Sequence, residues 1–141
     1  MGFSYLDHGA DMGIEAKSDT LEGLFGESAR GLFSLMVNLN DVRLEKKTKV
    51  KSEGSTHEEL LYEWLSELVS LSNLKSEVYS DFQDLVIEKF DSKFVVQGQA
   101  MGEKVDPEAH ELGTEVKAVT YQGLEVTSAD DKWRCRFVVD V

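Results

Sequence analysis

The sequence predicts an α+β fold, with two amphipathic helices packed on one face of a mostly antiparallel sheet. Two segments carry apolar residues at helical spacing, while the C-terminal half consists of alternating runs separated by turn residues. The 141 residues are 41% hydrophobic, enough to bury a core without disulfides or metals. We therefore expect residues 1–141 to form one domain.

The first half of the chain alternates strands with helices. The predicted segments are a strand over 12–17, a helix over 21–36, a strand over 48–53 and a helix over 60–74. Asp19 and Ser55 each have a glutamate three residues later, so we expect them to cap the two helices.

The second half has the period of two that strands show. Strands are predicted over 84–90, 94–101, 115–121, 124–127 and 133–139. The last one places Cys135 and Phe137 on an apolar face and Asp140 on the opposite face. A loop precedes the third of these strands and contains His110, which we expect to be exposed.

Charge and cysteine content exclude several classes of protein. Fifteen basic against 27 acidic residues give a net charge of −12, which argues against an independent nucleic-acid binder. The single cysteine, Cys135, excludes an internal disulfide and a cysteine-based zinc site, and it favours a cytoplasmic location. No stretch has the length and apolarity of a membrane span or a secretory leader.

One local concentration of basic residues departs from this acidic balance. Lys47, Lys49 and Lys51 alternate with Thr48 and Val50, as on the solvated face of a strand. The alternative is a contact of these lysines with RNA or with an acidic patch on a partner protein.

Carboxylates are concentrated near both ends of the chain. Asp7, His8 and Asp11 precede the first predicted strand, and Asp140 with the terminal carboxylate of Val141 follows the last. If the fold brings these ends together, they form an oxygen-rich pocket that suits a hard divalent cation. Asp7 and Asp11 could instead only stabilise a turn, and the last two residues could be a frayed end.

The metal interpretation gives each of these residues a role. Asp11 would be a ligand, and His8 a hydrogen-bond donor or general acid/base beside it. Lys117, on a predicted strand, would offset the carboxylate charge, although a strand lysine more often extends into solvent. The sequence has no nucleophile elbow, phosphate-binding loop or paired-histidine metal motif, so an autonomous enzyme has no support.

Several blocks, in order, resemble the archease family over nearly the whole chain. They are YLDHGADMGI at 5–14, TLE at 20–22, LLYEWLSEL at 60–68, Gly102-Glu103 with Asp106 and His110, EVKAVTY at 115–121, and Trp133 with VDV at 139–141. Gly9 and Gln122 depart from the family pattern, which usually has Thr and His at these positions.

The resemblance implies a protein cofactor, with the chemistry in its partner. Archeases assist the RtcB-type RNA ligase in tRNA splicing, promoting transfer of guanylyl from GTP to a ligase histidine and allowing multiple turnover. The family's divalent-metal site corresponds to Asp11, Asp140 and the terminal carboxylate of Val141, with Lys117 as a neighbouring functional residue and His8 and Asp7 in support. Contact with RNA would be indirect, with no binding to DNA or membrane.

Three questions stay open at this point. The metal could be calcium, magnesium or manganese. The chain could also be a stand-alone metal-dependent phosphoesterase, which the combination of His8, Asp11 and Asp140 allows. It could equally be a metal-independent, chaperone-like protein-binding module in which the carboxylates are only structural.

Overall fold

The computed structural model describes the whole chain except residues 9 and 10 and the side chains of residues 7 and 8. Within that part there are two α-helices, seven strands and one 3₁₀ turn, Leu39–Asp41. The elements are β1 (Gly2–His8), β2 (Asp11–Ser18), α1 (Leu21–Met36), β3 (Lys46–Gly54), α2 (His57–Lys75), β4 (Glu77–Phe90), β5 (Lys93–Lys104), β6 (Ala118–Ala129) and β7 (Lys132–Asp140).

The strands form two antiparallel sheets that share the helices. One sheet has four strands in the order β1-β2-β7-β6, and the other has three in the order β3-β5-β4. Helix α1 contacts β2 of the first sheet and β4 of the second, while α2 contacts β6 and β3. The predicted α+β class with antiparallel pairing is confirmed, and the strands divide between two sheets.

The core lies between the helices and the inner faces of both sheets. Its largest fully buried side chains are Trp64, Tyr79, Phe25, Phe33, Phe137, Ile14, Leu24, Leu32, Leu60, Leu61, Leu65 and Leu68. The buried indole nitrogen of Trp64 donates a hydrogen bond to the carbonyl oxygen of Phe25 at 3.2 Å, which joins α2 to α1. No helix in the described part of the chain has the length and apolarity needed to cross a membrane.

The helix caps lie one residue later than the sequence predicts. Thr20 caps α1 by accepting from the amide of Gly23 at 2.9 Å, because the carboxylate of Asp19 is instead bound by Lys132. Thr56 caps α2 by accepting from the amide of Glu59 at 3.1 Å. The predictions of Asp19 and Ser55 as caps were therefore wrong.

Several element boundaries also differ from the prediction. Strand β1 was not predicted, β4 begins seven residues before its expected start at 84, and the strands expected over 115–121 and 124–127 are one irregular strand, β6. Leu74, the last residue of the predicted second helix, is 82% exposed.

Two expectations about polar residues have opposite outcomes. Lys47, Lys49 and Lys51 are exposed on β3 while Thr48 and Val50 are buried, which confirms the solvated strand face. His110 is only 2% exposed, so the prediction of an exposed histidine was wrong. It is buried because both of its ring nitrogens have hydrogen-bond partners within the protein.

Candidate functional site

The topology brings the start of β2 and the end of β7 together at one end of the four-stranded sheet. Strands β2 and β7 are antiparallel neighbours, and Met12 is paired with Val139. Extending this register by one residue sets Asp11, the first residue of β2, opposite Asp140, the last residue of β7. The convergence of the two ends, on which the predicted site depends, is thus a property of the strand order.

Asp11 and Asp140 lie on the sheet face that points away from the helices. Ile14 on β2 and Phe137 and Val139 on β7 are buried in the core. Side chains alternate along a strand, so Asp11 and Asp140 are on the opposite face. Asp11 is half-buried and Asp140 is exposed, which leaves both carboxylates within reach of solvent or a partner.

Lys117 is fixed to the same end of the sheet through its backbone. Its amide donates to the carbonyl oxygen of Asp140 at 2.8 Å, and the next residue, Ala118, is paired with Asp140. Lys117 directly precedes β6 and is exposed, between the buried Val116 and the exposed Ala118. It makes no ion pair within 4.0 Å with Asp11 or Asp140.

The other predicted site residues are described only in part. Val141 is half-buried and packs against the core, directly after Asp140. The backbones of Asp7 and His8 belong to β1, where they are paired with Met12 and Asp11. Their side chains, like residues 9 and 10, lie outside the described part of the chain, so the proposed supporting roles stay predictions.

The donor set has the chemistry of a hard-cation site but is incomplete. Carboxylate oxygens suit calcium, magnesium or manganese, which take six or more oxygen ligands. Among the described side chains, no three His, Cys, Asp or Glu residues are close enough together to hold a metal ion. Asp11 and Asp140 are set opposite each other by the strand pairing, and the metal site at this end stays a prediction.

A polar network around the buried His110 was not predicted from the sequence. One carboxylate oxygen of Glu103 accepts from the amide of Arg43 at 2.6 Å and from Nε2 of His110 at 2.9 Å. These two bonds hold the pKa of Glu103 below its usual value. The amide of Asp106 donates to Nδ1 of His110 at 2.9 Å, so neither ring nitrogen is free for a metal.

That network anchors the loop between β5 and β6 to the rest of the protein. Glu103 is near the end of β5, His110 is in the loop, and Arg43 precedes β3. The spacing of Glu103, Asp106 and His110 was the signal for it in the sequence, because these residues are at most seven positions apart. The contact with Arg43 joins residues 60 positions apart and had no local signal.

Comparison with known proteins identifies the family. A model of the Archease protein family matches residues 3–141. The chain belongs to the archease family. It is 37% identical to Protein archease of Pyrococcus furiosus over 99% of this chain and 98% of that one. It is 36% identical to Protein archease of Methanopyrus kandleri over the full length of both chains.

Solved structures agree with this assignment and with the fold. The solution structure of protein 1598 of Methanobacterium thermoautotrophicum matches with a TM-score of 0.88 at 31% identity, covering 99% of both chains. The crystal structure of an archease from Thermotoga maritima, described as a possible chaperone, matches with a TM-score of 0.60 at 21% identity over 96% of this chain and 94% of that one. The second match supports the fold alone.

Proposed function

We propose that the chain is a protein cofactor of an RtcB-type RNA ligase in tRNA splicing. It would promote guanylylation of the ligase by GTP and allow each ligase molecule to turn over repeatedly, while the covalent chemistry stays in the ligase. Membership of the archease family supports this proposal. The observation that carries it is the juxtaposition of Asp11 and Asp140 at one end of the sheet.

The proposed working surface is this end of the four-stranded sheet. Asp11, Asp140 and the terminal carboxylate of Val141 would hold calcium, magnesium or manganese, with His8 and Asp7 in support. A bound divalent ion supplies positive charge that can interact with phosphate or carboxylate groups. Lys117 would add a second positive charge at the same end. Because the carboxylates are accessible, a partner could reach them without unfolding either strand.

The net charge favours a basic partner. At −12, the protein would be attracted to the positive surface that an RNA ligase needs for its substrate, and salt would weaken that attraction. The same charge opposes direct binding of RNA or DNA backbones, so RNA contact would be indirect. The proposed location is the cytoplasm, where a lone buried cysteine such as Cys135 stays reduced.

Guanylylation provides the direct test. A purified RtcB-type ligase is incubated with GTP labelled on the α-phosphate, with and without the chain, and the label retained by the denatured ligase is followed over time. A multiple-turnover RNA-joining assay is run in parallel. We expect faster labelling and several joined products per ligase molecule only when the chain is present. Equal rates in both assays with a ligase from the same host would contradict the proposal.

A chaperone-like binding module is the second candidate. It is favoured by the absence of a three-residue metal group among the described side chains, and the Thermotoga maritima archease carries the description of a possible chaperone. This function predicts that Asp11→Ala and Asp140→Ala stimulate the ligase as well as the original chain. Hydrolysis of a phosphodiester such as bis(p-nitrophenyl) phosphate by the chain alone, lost in Asp11→Ala, would instead identify a phosphoesterase.

A further inference from the structure

Strand β6 contains a large bulge opposite β7. Thr120 is paired with Val138 and Glu125 with Arg136, so residues 121–124 lie opposite Phe137 alone. Gly123, with φ +63°, provides the left-handed backbone within the bulge. Bulges interrupt the ladder and redirect side chains, and they are common beside functional sites. The side chain at the start of this bulge is that of Tyr121.

The bulge presents an exposed aromatic pair at the surface between β6 and α2. Tyr121 is 58% exposed, and its ring stacks on that of Tyr62 with centroids 3.9 Å apart and planes 13° from parallel. Tyr62 is on α2, is half-buried and packs against the core. Tyr62 is thus held in place by the core, and the Tyr121 ring stacked on it is exposed to solvent.

Two glutamates are close to Tyr62 along α2: Glu59 precedes it by three residues and Glu63 follows it directly. Burial and the negative charges of Glu63 and Glu59 raise the pKa of Tyr121. The ring therefore stays neutral at physiological pH. Neither Glu59 nor Glu63 makes an ion pair within 4.0 Å with any basic side chain in the described part of the chain.

Stacked aromatic rings bordered by unpaired carboxylates are complementary to a cation. The face of an aromatic ring attracts guanidinium and ammonium groups, and nearby carboxylates add charge attraction and hydrogen-bond acceptors. The planar guanidinium of arginine can stack on a tyrosine ring while it binds a carboxylate, which a lysine does less well. A phosphate backbone would be repelled by the same carboxylates.

The pair and the proposed working surface belong to neighbouring strands of one sheet. Tyr121 is on β6 and Asp140 ends β7, but Tyr121 stacks on α2 whereas Asp11 and Asp140 are on the face away from the helices. A partner that contacts both regions would therefore extend around the β6 edge of the sheet. Interfaces of ordinary size are wide enough to span both regions.

We propose that Tyr62, Tyr121, Glu59 and Glu63 form a docking site for an arginine side chain on the basic surface of a protein partner. The inference rests on the proposed function in taking that partner to be the RtcB-type ligase. It assigns two separate tasks to the chain: the aromatic pair binds the ligase, and the carboxylates at the end of the sheet support its activation.

Titration calorimetry with the purified ligase tests the docking site. Tyr121→Ala is compared with Tyr121→Phe, which keeps the ring, and with Glu63→Gln, which removes one charge. Phe90→Ala is the control, since Phe90 is 56% exposed on β4, in the other sheet. The thermal unfolding midpoint of each variant is measured first.

We expect Tyr121→Ala to weaken binding about fivefold to thirtyfold, the range of a cation–π contact at an interface. Tyr121→Phe and Phe90→Ala should bind within about twofold of the original chain. Glu63→Gln should weaken binding and reduce its salt dependence, which keeps the test valid if Tyr121→Ala does not fold. Original-strength binding by both Tyr121→Ala and Glu63→Gln would overturn the inference. So would equal losses in Tyr121→Phe and Tyr121→Ala, because the ring face would then not be the contact.

Failure of the proposed function and failure of the docking site alone give different experimental results. If the original chain neither binds the ligase nor stimulates guanylylation, the proposed function fails and this inference fails with it. If the chain stimulates the ligase but Tyr121→Ala and Glu63→Gln both bind as strongly as the original chain, only the docking site is wrong. Binding of a fluorescent single-stranded oligouridylate that is lost in Tyr121→Ala would also overturn the inference, in favour of base stacking.

Discussion

The amide of Lys117 donates a hydrogen bond to the carbonyl oxygen of Asp140 at 2.8 Å. This bond joins the residue before β6 to the last residue of β7, and β7 in turn lies beside the start of β2. Three residues that are far apart in the sequence, Asp11, Lys117 and Asp140, are thus held at one end of a sheet by backbone pairing alone. Substituting their side chains should therefore leave the fold intact.

Metal binding should depend on both aspartates. Asp11→Asn and Asp140→Asn each remove one negative ligand, so we expect divalent-cation affinity to fall about tenfold or more in each variant. Titration calorimetry with calcium, magnesium and manganese measures this. Asp91→Asn is the matched control, because Asp91 is an exposed turn residue with φ 55° that asparagine also tolerates. Unchanged divalent-cation affinity in both Asp11→Asn and Asp140→Asn would contradict the proposed metal site.

The core can be tested with two identical substitutions on α2. Leu68 is fully buried and Leu74 is 82% exposed. Leu68→Ala should lower the free energy of unfolding by about 2–5 kcal/mol, since it leaves a cavity, whereas Leu74→Ala should change it by less than about 0.5 kcal/mol. Urea unfolding followed by tryptophan fluorescence gives both values. Similar losses at the two positions would contradict the described packing.

The Glu103–His110 network should stabilise the protein in a pH-dependent way. Glu103→Ala leaves the buried Nε2 of His110 without its partner, so unfolding at pH 7 should become easier by about 1–3 kcal/mol. The pKa of Glu103 is lowered in the folded state. Its charge-dependent stabilisation is therefore complete above the unfolded-state pKa of about 4.3 and is lost as the pH falls through the lower folded-state pKa.

The free energy of unfolding in urea is measured for both proteins at pH 7, at pH 5, and at pH 4 and below. Below pH 5 the difference between the original chain and Glu103→Ala should shrink as the solution becomes more acidic. Glu111→Ala, an exposed neighbour in the same loop, provides the control and should have little effect. A difference that does not shrink in this acidic range would contradict the assigned role of the Glu103 charge.

Cys135 should be unreactive in the native protein. Burial raises the pKa of its thiol to about 11, and its sulfur lies 3.0 Å from the hydroxyl oxygen of Ser28. At pH 8 roughly 0.1% would be thiolate even if reagent could reach it, so labelling by Ellman's reagent should be at least about a hundredfold slower than in guanidinium chloride. Equal rates in the native and unfolded states would show that the thiol is accessible.

The spacing of apolar residues predicted which helices and strands exist better than where each one begins and ends. The apolar spacing of α1 and α2 identified both helices, because burial against the sheets imposes that spacing. Their caps were misplaced by one residue, since Asp19 and Thr20 are both good caps and only the distant Lys132 decides between them. Strand β4 was predicted to begin too late, because Val78, Tyr79 and Ser80 are buried in succession and show no alternation.

The candidate site was predictable in composition but not in geometry. Sequence alone identified Asp11, Asp140 and Lys117, yet their proximity depends on which strands are neighbours, and local patterns do not encode that order. The Tyr62–Tyr121 stack likewise requires a bulge and a helix that approach each other only in the folded chain.

Activation of the ligase should depend on the Asp11–Asp140 end of the sheet. The deciding experiment is multiple-turnover RNA joining by an RtcB-type ligase, measured with the original chain, Asp11→Asn, Asp140→Asn and the control Asp91→Asn. We expect full stimulation by the original chain and the control, and loss of stimulation in both site variants despite unchanged unfolding midpoints. Full stimulation by Asp11→Asn and Asp140→Asn would contradict it.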